Sequence, residues 1–138
     1  MDDITHILET TRTVAIVGMS DNPERSSHEV AHYLQAGGYR IIPVNPGLAQ
    51  KGEKVLGETP YADLEAAAKG LKEAGEAPID MVDVFRRSEE AGAVVDEASA
   101  IGAKAVWGQL GVTDDAAMAR ARAAGLRAVL LSYAASYA

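Results

Sequence analysis

Thr13-Val14-Ala15-Ile16-Val17-Gly18-Met19-Ser20-Asp21-Asn22-Pro23-Glu24-Arg25-Ser26 is the stretch that decides the fold. Its first five residues are continuously apolar or β-branched, without the alternation of a half-exposed strand, so they read as a strand covered on both faces. Gly18 lets the chain turn away from that strand with no Cβ in the way. Ser26 opens a helix over residues 26–36, with Glu29 three residues on completing a capping box. Val30, Ala31 and Leu34 give that helix its buried face, and Gly37-Gly38 ends it.

The same unit recurs downstream. Strand-like runs are Arg40–Val44, Ile79–Phe85, Ala103–Trp107 and Leu126–Leu131. Helical patterns cover Ala62–Leu71, Glu89–Ile101 (stopped by Gly102) and Asp114–Ala124 (stopped by Gly125), with an opening helix at Ile4–Glu9. This alternation predicts a Rossmann-like α/β fold: a doubly wound parallel five-stranded sheet with helices on both faces. Right-handed crossovers favour, most simply, the strand order 3-2-1-4-5. That order puts the third strand on an edge, which accounts for Asp80 and Asp83 in an otherwise apolar run, since an unpaired buried carboxylate is very costly. Lys69–Pro78 reads as a loop, so residues 1–138 are expected to form one domain.

Composition narrows the function classes. At 138 residues the chain can bury one core but not two enzyme-sized domains. With 13 Lys+Arg against 20 Asp+Glu, the net charge of −7 repels polyanions, so nucleic acid and anionic membranes are poor partners. A small anionic ligand answers to a local pocket instead. The absence of cysteine removes disulfides, thiolate metal sites and thiol nucleophiles together. No run approaches the ~18 apolar residues of a membrane span, and Met1-Asp2-Asp3 is unlike a targeting segment, so a cytoplasmic protein is expected.

In such sheets, ligands bind beyond the carboxyl ends of the strands, where the strand order reverses. For order 3-2-1-4-5 these are the loops after strands one and four, helped by two and three. In the first loop, Ser20, the charge on Arg25 and the free amides at the helix start suit a phosphate, although a well-capped βα loop looks the same. Asn45 fits either a ligand contact or a turn before Pro46-Gly47. Gln109 at the end of the fourth strand suits a hydrogen-bond role, whereas Trp107 reads as core. A dinucleotide site would need further glycines where Ser20 and Pro23 stand, and an acid at the end of the second strand, which instead reads Val44-Asn45-Pro46-Gly47. Both halves of that fingerprint fail. His28-Glu29-Val30-Ala31-His32 spells the helix motif of zinc peptidases, but Glu29 has a capping role and His6 is the one other histidine, so no metal is expected.

Five ordered stretches carry a resemblance. They are Val17–Ser27, Gly38–Pro46, Leu56-Gly57-Glu58, Asp80–Arg86 and Val106–Gly111. Together they resemble the small stand-alone CoA-binding domain proteins, which are similar to the N-terminal CoA-binding domain of the succinyl-CoA synthetase α subunit and of the ADP-forming acyl-CoA synthetases. The resemblance implies CoA phosphates over Gly18, Met19, Ser20, Pro23, Arg25 and Ser26. It implies adenosine near Asn45, Pro46, Phe85 and Arg86, with Phe85 against the adenine. Arg87 adds charge there, and Lys51 joins near a ribose phosphate. The family usually continues after the fifth strand with Asp-Arg-Cys and a glutamate; here Leu131-Ser132-Tyr133 and Tyr137 stand instead. Those two tyrosines either pack on the domain or make an intermolecular contact, which leaves a homo-oligomer open. No catalytic constellation is found, so the expectation is a module that binds CoA or an acyl-CoA without catalysis. The alternatives are an NAD(P)-binding oxidoreductase or redox sensor, and an interaction protein with a lapsed pocket.

Overall fold

All five strand-like runs form strands, and they join one parallel sheet. The computed structural model describes residues 3–109 and 114–131. Along the chain the elements are α1 (Asp3–Thr10), β1 (Thr13–Val17), α2 (Ser26–Ala36), β2 (Arg40–Val44), α3 (Pro46–Lys51), α4 (Leu64–Glu73), β3 (Met81–Val84), α5 (Ser88–Ala100), β4 (Ala105–Gln109), α6 (Asp115–Ala123) and β5 (Arg127–Leu131). No helix among the described residues is long and apolar enough to cross a membrane.

The α/β class and the helices on both faces are as expected, but the strand order is 2-1-3-4-5 rather than 3-2-1-4-5. The third strand is therefore central, with Val14 opposite Met81 on one side and Met81 opposite Ala105 on the other. Each of its four residues is buried, which a sheet edge would not provide. That edge belongs to β2, whose outer side is covered by the chain that follows it. Tyr61 bridges Val44, and Arg40 holds Glu58 at 3.2 Å and also pairs with Glu76. Burial alone would lower the Arg40 pKa, but its bonds to the two carboxylates outweigh that and raise it.

Edge placement consequently does not explain the two aspartates. Asp80 Oδ2 accepts the amides of Arg12 at 2.9 Å and Thr13 at 3.0 Å, tying the entry of β1 to the entry of β3. Asp83 is fully buried, in register with Ile16 and Trp107. Strand pleating then divides the core in two. Val14, Ile16, Ile41, Met81 and Trp107 face Ile7 of α1, Val30 and Leu34 of α2 and Leu48 of α3. Ala15, Val17, Ile42, Val82, Val84 and Val106 face Leu64 and Leu71 of α4, Val95 of α5 and Met118 of α6.

Two further differences are local. Asp63 caps α4 by accepting the Ala66 amide at 2.8 Å, and the helix runs on through Glu73, past the expected loop start at Lys69. Gly70 lies within this helix, and a Cβ there would lie 2.6 Å from the Tyr61 ring, which is why the position takes glycine. The second is α3, a short helix where the sequence offers a turn before Pro46-Gly47 as one of two readings.

Replacing Asp80 with Ala orphans two amides at the sheet entrance, so it should lower stability by about 1–3 kcal/mol with an unchanged denaturant slope. Urea unfolding measures this, and an unchanged midpoint would contradict it. Between α4 and α5, burial and then the charges of Asp63 and Glu65 push Glu97 above its ordinary value of 4.5. Its ionisation therefore costs stability above the raised folded value and costs nothing below the ordinary one. Glu97→Gln should raise the melting temperature at neutral pH, with the gain vanishing as pH falls below that ordinary value.

Candidate functional site

Order 2-1-3-4-5 moves the reversal point to the gap between β1 and β3. There the two outgoing loops touch. The Gly18 amide donates to Val44 O at 2.8 Å and the Phe85 amide to Val17 O at 2.8 Å. Gly18 has φ +89°, and a Cβ on it would lie 2.0 Å from the Phe85 carbonyl oxygen. Only glycine satisfies both conditions, so the floor of the site is bare backbone.

The loop above that floor folds on itself. Ser27 Oγ accepts the Ser20 amide, Ser20 Oγ accepts the Asn22 amide, and Asn22 Oδ1 accepts the Glu24 amide, each at 3.0 Å. The expected capping box is not formed. Arg25 is the N-cap of α2 and supplies no side-chain cap, Ser26 is the first helical residue, and Glu29 is exposed. Ser27, not Ser26, is the buried serine, drawn inward by its bond to the loop. The His28 and Glu29 amides both donate to Arg25 O, at 3.1 and 3.0 Å, which leaves the Ser26 and Ser27 amides at the start of α2 without a side-chain cap, as an anion requires.

Asn45 does two jobs. Its Oδ1 accepts the Gly47 amide at 2.8 Å and the Leu48 amide at 3.4 Å, capping α3, with Pro46 in the first turn. Its Nδ2 donates to Met19 O at 3.0 Å, mooring the first loop to the end of β2. At the far end of α3, Lys51 Nζ binds Asp21 Oδ2 at 2.7 Å. This bond and the lysine's charge hold the Asp21 carboxyl below the usual carboxylate range.

The structure brings Gly18, Ser20, Ser26, Asn45, Pro46, Phe85 and Arg86 to the ends of the three adjacent strands β1, β2 and β3. Pro23 and Arg25 are exposed on the first loop, Phe85 and Arg86 are half-buried, and Arg87 is the exposed N-cap of α5. Met19 is fully buried, so its side chain serves the core and only its backbone reaches the loop. Gln109 ends β4, one strand beyond the reversal point, paired with Leu131. The Gln109 side chain, and the atypical tail at Ser132, Tyr133 and Tyr137, lie outside the described part of the structure. Trp107 is core, fully buried. Among the described residues, no group of three His, Cys, Asp or Glu is placed to hold a metal ion.

Sequence reasoning missed Ser27 and Asp21. An Asn followed by Pro at a strand end is the readable signal for α3. Nothing in the sequence marks the Asp21–Lys51 pair, which joins positions 30 residues apart.

The family model described as CoA binding domain matches residues 12–133. The chain belongs to this family. It is similar to the uncharacterized protein YneT of Bacillus subtilis (strain 168), with 39% identity over 115 residues that cover 83% of this chain and 76% of that protein. A solved structure of a hypothetical protein from Pyrococcus horikoshii OT3 is 34% identical, with TM-score 0.78, covering 96% of this chain and 86% of that one. More distant is RSP, a Rex-family repressor, solved in complex with beta-NADH, at 19% identity and TM-score 0.62, covering 96% of this chain and 60% of that one. At that identity the likeness is one of fold.

Within this CoA-binding domain the two roles of Asn45 are separable. Asn45→Asp keeps the capping oxygen and loses the donor to Met19, and should cost about 1 kcal/mol. Asn45→Ala loses both and should cost about 2 kcal/mol. Equal losses in urea unfolding would contradict the double role.

Proposed function

We propose that this protein binds coenzyme A, free or acylated, at the carboxyl edge of its sheet, as a stand-alone module without catalysis of its own. The observation that carries this reading is the contact of the β1 and β3 loops at Gly18, beneath an α2 start that has no side-chain cap. Such a junction suits a pyrophosphate, because the backbone comes close and the helix amides point outward.

The donor set fits the group chemically. Arg25, Arg86 and Arg87 lie in the loops and helix starts of this edge, and a few charge-assisted bonds of about 1.5–3 kcal/mol each can anchor an anion despite the net charge. In this reading Arg25 and the Ser26 and Ser27 amides at the start of α2 hold the phosphates, and the Ser20 hydroxyl, whose oxygen already accepts from Asn22, still has its proton to donate. Phe85 offers a half-buried ring for adenine, and Arg86 and Lys51 serve the ribose end. Asn45 shapes the site through the α3 cap and the Met19 carbonyl, which leaves its second amide proton for the ligand. When bound, CoA would supply a thiol or thioester that this chain carries and does not transform.

A nicotinamide dinucleotide is less well served. Where it would need an acid for its ribose hydroxyls, β2 ends in Asn45, whose side chain is committed to the α3 cap.

Calorimetric titration with CoA, acetyl-CoA, ADP and NAD tests the reading. CoA should bind and NAD should not, and Arg86→Ala should weaken CoA by roughly tenfold or more, the loss of one charge-assisted bond. No CoA binding at millimolar ligand, or a preference for NAD, would overturn it.

A further inference from the structure

The ion pair between Asp21 and Lys51 has a consequence that rests on the CoA reading and goes beyond it. Lys51 is the cation in the last turn of α3, and its ammonium is already held by a carboxylate of the first loop at 2.7 Å. Both side chains are about half exposed, 54% for Lys51 and 46% for Asp21, so the pair is screened and easily exchanged. The loop does not depend on it. Asn45 moors the same loop through Met19 O, at the opposite end of α3, and the Ser20–Ser27 and Asn22–Ser20 bonds hold its shape. The pair can therefore open with the loop still in place.

We infer that Asp21 is an internal competitor for Lys51, which an incoming phosphate on the ribose of the ligand must displace. Asp21 thereby sets how strongly the site selects ligands that carry that phosphate. While the pair is closed, the carboxylate is neutralised within a loop that has to accept anions. When a phosphate takes the ammonium, the carboxylate is left beside a second anion, a like-charge juxtaposition that lowers affinity. A ligand without the ribose phosphate leaves the pair closed and escapes this cost. It also forgoes the lysine.

Titration of CoA and 3′-dephospho-CoA against wild type, Asp21→Asn, Lys51→Ala and the double variant separates these effects. Asp21→Asn should tighten CoA roughly two- to fivefold, the range of an exposed ion pair, and leave 3′-dephospho-CoA unchanged. In the Lys51→Ala background the gain from Asp21→Asn should be smaller, because no lysine remains to compete for and only the like-charge repulsion between Asp21 and the phosphate is relieved. Circular dichroism and melting curves establish that all four chains are folded. Equal tightening of both ligands would reduce the effect to overall charge and overturn the inference, as would no change in CoA affinity. In both of those cases wild-type CoA binding still stands, so the proposed function survives. Absence of CoA binding by both wild type and Asp21→Asn would overturn the two together.

Discussion

The crossing of backbone at Gly18 and Phe85 is the constraint on which the rest depends. A Cβ at position 18 would lie 2.0 Å from the Phe85 carbonyl oxygen, so the loops leaving β1 and β3 meet with no side chain between them. This contact requires β1 and β3 to be neighbours, as they are in the order 2-1-3-4-5. The neighbouring of these strands puts the reversal point between them, and with it the start of α2 and the Phe85-Arg86 turn. Fold and site are one arrangement seen at two scales. Behind it, strand residues of alternating direction fill two cores, and Asp80 closes the opposite edge by holding the entry of β1.

Much of the fold was legible because its signals are local. Continuous β-branched runs and glycine stops located β1, β2 and α2 at their observed bounds, since burial on both faces forces such runs and φ > 0 forces such stops. Strand order was not legible, because it depends on where a crossover lands and not on the composition of any strand. The aspartates misled for the same reason. Asp80 answers to the amides of Arg12 and Thr13, distant in sequence, and Asp83 sits in the central strand rather than at an edge. The stretch from Lys69 reads as a loop, yet Gly70 within it lies in α4 and makes room for Tyr61.

The site was legible by position and less so by role. The pattern pointed to the carboxyl ends of the strands but, through the order 3-2-1-4-5, to the loops after strands one and four rather than one and three. What each side chain does there is set by its neighbours. Met19 lies next to the critical glycine and faces the core. Ser26 looks like a cap, whereas Ser27 turns inward to bind the loop and α2 begins without a side-chain cap. Asn45 allowed two readings, and its oxygen and one amide proton are engaged by the α3 cap and the Met19 carbonyl. An acidic chain can still offer an anion site, because backbone amides and a few arginines act at contact distance while the net charge is screened over about 10 Å at moderate salt.

In the proposed function the β1 and β3 loops form a phosphate cradle for CoA. A crystal structure of the protein grown with CoA tests it most directly. Density is expected for the pyrophosphate over Gly18–Ser26 and for adenosine beside Asn45-Pro46 and Phe85-Arg86. Ordered CoA at the opposite edge of the sheet, near Asp80, Lys104 and Arg127, with the Gly18 loop bare, would contradict it.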